Sequence, residues 1–234
     1  MVLLYRCKWT GSTRTGQRLS LTELEQARAE QRRARARRHA NAAEKARELW
    51  GKSRPADPHH PYLVAKGITP CGARQRGQTL FLPVCSLDGT LWSLQMIQPD
   101  GSKQLLKGGA KRGHSIPVAG KPDAESVIIC EGLATGCTLA AHYPGALILA
   151  AVDADNLKPV ALSVRERCPG VAITIAGDDD RLTIGNPGAT AAEAAARSAG
   201  ARLILPAWPD DAPETLSDFN DLDAWMRKGV RDVA

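Results

Sequence analysis

The stretch "VAITIAGDDDR", residues 171–181, decides the fold, because a short apolar run ends directly in three consecutive aspartates. Three more short apolar runs lie in the same half of the chain, "SVIIC" (126–130), "ALILAAV" (146–152) and "RLILP" (202–206). Helix-forming stretches separate the four runs, near 134–142, 157–168 and 188–200. Strands that alternate with helices predict an α/β fold, with a parallel four-stranded sheet covered by helices on both faces.

Acidic residues follow every predicted strand. They are Glu131 after the first, Asp153 after the second, Asp178 to Asp180 after the third, and Asp210, Asp211, Asp218 and Asp221 after the fourth. Open parallel sheets bind ligands at the carboxyl ends of their strands, so these acids are expected at one edge. Crowded carboxylates need a cation, and oxygen ligands alone favour Mg²⁺ or Mn²⁺ over zinc. The alternative is that the acids are solvated loop residues.

The region before these strands is predicted to form a smaller unit that contains both helix and strand. "RPADPHHPYLVAKGI" (54–68) is a proline-broken turn that leads into a short helix. A β-hairpin is predicted next, from "TLFLPVCSL" and "TLWSLQMIQ" joined at Asp88-Gly89. A glycine-containing segment then carries four basic residues, Lys103, Lys107, Lys111 and Arg112. We interpret them as a patch that contacts phosphates, the alternative being ordinary solvated side chains.

The N-terminal part is basic. Ser20 and Glu23 form a capping-box pattern, and helix formers continue to about Trp50. "EQRRARARRHA" (30–40) places arginine on nearly every face, which fits a solvated linker helix or a nucleic-acid-binding arm. Residues 1–19 are expected to be loose or dependent on a partner. The predicted organisation is a basic, mostly helical extension (1–54), a small subdomain (55–122) and an α/β domain (123–234).

Charge and cysteine content narrow the class of protein. Residues 1–122 contain 22 Lys and Arg against 8 Asp and Glu, whereas residues 123–234 contain 9 against 17. A basic front half predicts a polyanionic partner, and an acidic back half predicts metal binding. The sequence offers no apolar run of membrane-spanning length and no signal-peptide core, which predicts a soluble, cytoplasmic protein. Its six scattered cysteines, without a C-x-x-C motif, predict free thiols in a reducing compartment.

Three motifs carry a resemblance to a known family. "VIICEGLATG" (127–136), "ITIAGDDDR" (173–181) and "LSDFNDL" (216–222) are similar to the Toprim domain of bacterial-type primases, type IA and type II topoisomerases and some nucleases. The resemblance implies a catalytic metal site built from Glu131, Asp178 and Asp180. Asp218 and Asp221 match the family's downstream acidic motif, and are expected to bind metal too.

The preceding region resembles the segment before Toprim in primases of phages, plasmids and integrated elements. This implies synthesis of short RNA primers on single-stranded DNA from ribonucleoside triphosphates, by metal-dependent nucleotidyl transfer, for replication or transfer of a mobile element. A helicase or another replication protein is the implied partner. The four basic residues from Lys103 to Arg112 would handle template and nucleotide phosphates. Arg181, next to the carboxylates, would offset their charge or contact a phosphate, and Asp179 would be a spacer.

The sequence also departs from the primase pattern. Such primases usually carry an N-terminal zinc-binding module, whereas Cys7 and His39 cannot form a four-ligand zinc site, so no zinc is expected. A Toprim nuclease and a non-catalytic DNA-binding adaptor or inhibitor therefore stay open as alternatives. A topoisomerase is disfavoured, because Tyr5, Tyr62 and Tyr143 are the three tyrosines and none lies in an appended module.

Overall fold

A computed structural model describes residues 20–231, and its contacts divide the chain into two units after Arg37. The first helix, α1 (Leu21–Gly51), begins with the predicted capping box. The Glu23 N–H donates to Ser20 Oγ (3.2 Å), and the Ser20 N–H donates to Glu23 Oε2 (2.7 Å). The predicted start of this helix is thus confirmed, whereas the expectation for residues 1–19 lies outside the described residues.

The last turns of α1 belong to the second unit and are packed. Ala42, Ala43 and Ala46 are buried, and Ala46 contacts a cluster that contains Phe81 and Leu94. Small alanine side chains allow this close approach, which the arginines earlier in the helix would prevent. The C-terminal part of α1 is therefore a packing element of the second unit.

An antiparallel sheet follows, with its five strands in the order in which they occur along the chain. They are β1 (Arg54–Pro55), β2 (Arg74–Arg76), β3 (Thr79–Cys85), β4 (Leu91–Ile97) and β5 (Lys103–Leu105). The short helix α2 (Pro61–Lys66) lies between β1 and β2. The predicted hairpin is confirmed as β3 and β4, and Gly89 in its turn has a φ of +85°, a conformation that glycine adopts without strain.

The second sheet contains the four predicted parallel strands and one more. Its strands are β6 (Ile116–Ala119), β7 (Ser126–Cys130), β8 (Leu147–Ala150), β9 (Ala172–Ala176) and β10 (Arg202–Ile204), in the order β10-β9-β7-β8-β6. Its helices are α3 (Leu133–His142), α4 (Leu157–Arg167), α5 (Pro187–Ala199) and α6 (Phe219–Arg231). The α/β fold is confirmed, and β6 adds an antiparallel edge strand beside β8. Because β6 lies before residue 123, the pairing crosses the domain boundary predicted there, which stays a prediction.

Alternate side chains of β7 are buried on opposite faces of the second sheet. Ile128 and Cys130 belong to a cluster with Leu133 of α3, whereas Val127 and Ile129 belong to a cluster with α4 and α5. This burial on both faces explains why the strand reads as a continuous apolar run. Among residues 20–231, no helix is both long enough and apolar enough to cross a membrane.

The prediction that the cysteines are free is wrong for one pair. Cys71 and Cys137 are joined in a disulfide, with their Cα atoms 6.3 Å apart. They are 66 positions apart in sequence, so the pairing arises where the loop after α2 meets α3, a contact that spacing could not reveal. Cys85, Cys130 and Cys168 are free as predicted, and Cys7 lies outside the described residues.

Candidate metal and nucleotide site

Sheet topology brings the first and third acidic motifs together. Strands β7 and β9 are neighbours, and their register pairs Cys130 with Ala176. Glu131 and the aspartates from Asp178 onward therefore leave the sheet side by side at its carboxyl edge. Asp153 leaves the same edge after β8, on the other side of β7.

The carboxylates influence one another strongly. Burial, followed by repulsion from Glu131, Asp218 and Asp180, raises the pKa of Asp178 to about 8. Burial also raises the pKa of Glu131, with further contributions from Asp180 and Asp153. Burial likewise raises the pKa of Asp218. We name Glu131, Asp178, Asp180 and Asp218 the carboxylate cluster; it holds more negative charge than its surroundings neutralise.

One oxygen of this cluster has no internal partner. Asp178 Oδ1 is buried and accepts no hydrogen bond from any part of the chain between residues 20 and 231. A buried carboxylate oxygen without a donor costs free energy unless a cation or water completes it. This oxygen and the raised pKa values fit a hard divalent cation.

The cluster is not a preassembled metal cage. No three His, Cys, Asp or Glu side chains of the described chain converge closely enough to hold an ion by themselves. Mg²⁺ nevertheless commonly keeps several waters and binds through one or two carboxylates together with substrate phosphates. The donor set therefore fits Mg²⁺ or Mn²⁺ whose coordination shell is completed by a phosphate ligand.

Asp179 is held by internal hydrogen bonds. Its Oδ1 accepts a bond from Asn186 Nδ2 (2.6 Å), and its Oδ2 accepts one from Trp208 Nε1 (2.8 Å). Asn186 also accepts the Asp180 N–H at its Oδ1 (2.8 Å). Both oxygens of Asp179 thus accept hydrogen bonds within the protein. Asn186 also holds the backbone N–H of Asp180 in place.

Asp180 lies against the N-terminus of α5. Its Oδ2 accepts a hydrogen bond from the Gly188 N–H (2.9 Å). A Cβ atom at position 188 would lie 2.8 Å from both this oxygen and the Asp178 carbonyl, so glycine is required for the contact. Sequence reasoning did not single out Asn186 or Gly188, although "GNPG" is a recognisable N-cap and proline start of a helix.

The downstream acidic motif divides into two roles. Asp218 contributes to the electrostatic field at Asp178, and its Oδ1 accepts the Asp221 N–H (2.8 Å) at the start of α6. Asp221 instead pairs with Lys66 (3.3 Å) and accepts the Ser217 N–H (3.2 Å). The structure therefore associates Asp218 with the cluster, whereas both carboxylate oxygens of Asp221 are already engaged.

Lys103 is the basic residue that meets the cluster. It begins β5, and a Cβ atom added to Gly132 would lie 3.7 Å from its Nζ. Its positive charge lowers the pKa of both Glu131 and Asp178, against the effect of burial. Of the four predicted basic residues, Lys103 is the one among the main influences on the pKa of these two carboxylates.

The other three basic residues lie in different surroundings. Lys111 forms an ion pair with Asp153, which gives that acid a partner the sequence did not reveal. Arg112 is exposed and lines a shallow depression with Arg167. Lys107 is exposed as well, near the Gly108 turn. The predicted basic patch is therefore divided between the carboxylate edge and the neighbouring surface.

Asn156 holds the loop that carries Lys111. The side chain is 1% exposed, and its Oδ1 accepts the Gly113 N–H (2.9 Å). Its Nδ2 lies within hydrogen-bonding distance of the carbonyl oxygens of Lys111 and His114. Nothing in the local sequence reveals these three contacts of Asn156, because Lys111, Gly113 and His114 are more than 40 positions away.

Arg181 supports a neighbouring loop. Its guanidinium donates to the carbonyls of Pro213 (2.8 Å) and Leu216 (3.3 Å), and it lies over the Trp208 ring at 4.4 Å. These contacts attach the segment before α6 to the aspartate triplet. Phosphate contact by Arg181 stays a prediction.

Comparison with known proteins identifies the class. Residues 126–230 match the Toprim domain family. The first Escherichia coli relative, a DNA primase TraC, is 36% identical over 181 residues, which cover 70% of this chain and 12% of that protein. A second Escherichia coli DNA primase TraC is 36% identical over 170 residues, covering 65% and 16%. The chain therefore spans less than a fifth of the length of these relatives.

A solved structure agrees on the fold. The primase fragment of the bacteriophage T7 primase-helicase protein has a TM-score of 0.50 and 14% identity, covering 78% of this chain and 75% of that one. At this identity the likeness concerns the fold alone. The family match and the two primase relatives confirm the predicted resemblance to Toprim primases, and the T7 fragment agrees with them on the fold.

Proposed function

We propose that the protein is a primase that synthesises short RNA primers on single-stranded DNA by metal-dependent nucleotidyl transfer. The observation that carries the proposal is the carboxylate cluster, in the part of the chain that matches the Toprim domain, with Lys103 at its border. Such a site combines donors for a divalent cation with a positive charge for phosphate. The relatives named DNA primase support this reading over other chemistry on the same fold.

The cation would be held by Asp178 and Glu131. The negative charges of Asp180 and Asp218 would add to the electrostatic potential at the ion. When bound, Mg²⁺ or Mn²⁺ stabilises charge on the attacking and leaving oxygens during phosphoryl transfer. The buried and unpartnered Asp178 Oδ1 supports Asp178 as the principal ligand. Asp221, which is paired with Lys66, would act as a support for the start of α6.

The remaining residues of the site would bind and orient the substrates. Lys103 offsets carboxylate charge and would meet a nucleotide phosphate, because its ammonium lies beside Gly132 at the start of α3. Lys107 and Arg112, exposed on the adjoining segment, would contact the template backbone. Asn156 would keep this segment in position through its carbonyl and N–H contacts.

The biological setting follows from the same resemblance. We propose that the substrates are ribonucleoside triphosphates, that synthesis serves replication or transfer of a mobile element in the cytoplasm, and that a helicase or another replication protein is the partner. The absence of zinc also stays a prediction, since Cys7 lies outside the described residues.

A single assay tests the activity. The purified chain would be incubated with single-stranded DNA, labelled ribonucleotides and Mg²⁺ or Mn²⁺, and both short products and template breakdown would be followed. We expect primers whose synthesis disappears in Asp178→Asn and Glu131→Gln. Lys121→Ala, which changes an exposed charge outside the site, is the control and should keep full activity.

Other outcomes would replace the proposal. Cleavage of the template without synthesis, lost in the same two variants, would identify a nuclease. Binding of DNA without either reaction would identify an adaptor. Primer synthesis that survives Asp178→Asn would place the chemistry outside the carboxylate cluster.

A further inference from the structure

A cavity of about 450 Å³ lies next to the carboxylate cluster. Its walls come from α2, the turn between β4 and β5, and α6. Lys103 and Asp221 contribute to its lining, so the cavity adjoins the site described above. Its volume lies within the range of small-ligand sites, which is roughly 300–1,000 Å³.

Two aromatic rings line this cavity. Trp225 projects from α6 and is partly exposed, whereas Tyr62 of α2 is 4% exposed. Aromatic faces bind nucleobases by stacking and do so with little preference among the bases. The chain has ten aromatic residues in total, so two of them beside the acidic site are a distinctive feature.

The Tyr62 hydroxyl is buried and unpartnered. Within the described range of the chain no group forms a hydrogen bond with it. A buried hydroxyl in this state costs roughly 1–3 kcal/mol, which a bound water would offset. Because the oxygen is shielded from solvent, Tyr62 contributes to the cavity as part of its wall and not as an exposed hydrogen-bonding group.

Three lysines (Lys66, Lys103, Lys228) and two aspartates (Asp100, Asp221) line the cavity, which leaves a net positive charge of one. Lys103 and Lys228 line it and form no ion pair with another described residue, whereas Lys66 is neutralised by Asp221. Lys103 lies 5.9 Å from the Tyr62 ring centroid, so positive charge and an aromatic face adjoin each other. This combination suits an anion that carries a flat ring.

We propose that this cavity binds the base and sugar of a nucleoside triphosphate, with the phosphates directed past Lys103 toward the carboxylate cluster. The inference rests on the proposed function, because it names where that reaction's nucleotide lies. A single nucleotide suits a bounded cavity of this size, whereas single-stranded DNA requires a groove that follows several nucleotides. Trp225 stacks on the base and Lys228 attracts the anion.

Nucleotide binding without template tests the inference. The titrant is ATP with Mg²⁺, added to the full chain in a calorimeter with no DNA present, so that no primer can form. We expect Trp225→Ala to weaken ATP binding by roughly tenfold, and Trp225→Phe to restore most of the affinity because a ring is retained. Lys228→Glu, at an exposed position that does not endanger folding, should weaken it by about fivefold.

Two matched variants control the experiment. Met226→Ala changes the next residue of α6, which lines the groove toward α3 on the other side of the helix. Lys121→Ala removes a charge at a site distant from the cluster in the fold, near the amino end of β7. Both should bind ATP like the unchanged protein.

Three results would overturn the inference. The first is ATP affinity unchanged in both Trp225→Ala and Lys228→Glu. The second is loss of affinity for a single-stranded oligonucleotide while ATP binding stays constant. The third is absence of saturable ATP binding by the unchanged protein up to millimolar concentration.

The two proposals can fail separately. A chain that binds ATP through Trp225 but makes no primer would refute the proposed function alone. A chain that makes primers, with the KM for nucleotides unchanged in Trp225→Ala, would refute the cavity's role alone.

Discussion

The acidic residues at the carboxyl edge of the second sheet and the basic residues at positions 103–112 were each predicted from the sequence to form part of the site. The fold brings the acidic residues together but separates the basic ones. Glu131 and Asp178 leave adjacent parallel strands, so strand register alone brings them together. Lys103, Lys107, Lys111 and Arg112 share a segment of ten residues, yet of these four only Lys103 is among the main influences on the pKa of the two carboxylates. Closeness in sequence is thus a weaker guide to a shared site than the topology of a parallel sheet.

The difference between Lys103 and the other basic residues is tested most strongly by replacing Lys103 and Lys111 in separate variants. Lys103→Ala should lower primer synthesis by about 100-fold, because the carboxylates lose the charge that favours their ionised form. Lys111→Ala should lower it by less than tenfold, since Lys111 pairs with Asp153. Initial rates at saturating template would be measured for both. Equal losses would contradict the division of the basic residues into two groups.

The acidic edge can be disturbed through a residue that carries no charge. Gly188→Ala should lower the free energy of unfolding by about 1–3 kcal/mol, because the added Cβ lies 2.8 Å from the Asp178 carbonyl. It should also weaken Mg²⁺ binding by moving Asp180. Chemical denaturation and metal titration would measure the two effects. Gly170→Ala, at an exposed position with nothing within 4 Å, should be neutral, and equal destabilisation by both would argue against crowding.

The charge of the acidic edge predicts a pH dependence. The pKa of Asp178 is raised from 3.8 to about 8, so the native state binds more protons than the unfolded state between these values. The free energy of unfolding of the metal-free protein should therefore fall as pH rises from about 4 to 8. Asp178→Asn should reduce this slope, with a remainder from Glu131 and Asp218 because their pKa values are raised as well, and should be more stable than the unchanged protein at pH 8 by roughly 1–3 kcal/mol.

Thermal or chemical unfolding at several pH values, with EDTA, would measure this difference. Added Mg²⁺ should stabilise the unchanged protein more than Asp178→Asn, since a bound cation requires the ionised carboxylate. Parallel pH profiles for the two proteins would show that Asp178 is not the titrating group.

The smallest expected effect concerns Tyr62, whose ring lies 5.9 Å from the Lys103 ammonium. Tyr62→Phe removes a buried hydroxyl that lacks a partner, so the free energy of unfolding should rise by up to about 1 kcal/mol. Affinity for ATP should change by less than twofold, because the hydroxyl is shielded from the cavity. A loss of stability would show instead that the hydroxyl has a partner such as bound water, and calorimetry would report both quantities.

The strands, their order of occurrence and their acidic ends could be predicted because periodicity and strand ends are local properties. The antiparallel β6 could not, since "IPVA" is short and its pairing with β8 depends on the fold around it. The disulfide, the Lys111–Asp153 pair and the contacts of Asn156 each join segments that are far apart in sequence. Local sequence therefore does not reveal these features, whereas Asn186 and Gly188 have a local signal in the helix start "GNPG".

Strand β6 has a practical consequence for dividing the protein. The Toprim match begins at residue 126, but β8 pairs with β6 (Ile116–Ala119) along its outer side. A fragment that began at 126 would expose the backbone N–H and C=O groups of β8 as an open edge. Exposed edges of this kind pair with other chains, so the fragment should aggregate, whereas one that retains β6 keeps this edge covered. Strand β6 thus protects this edge of the parallel sheet from self-association.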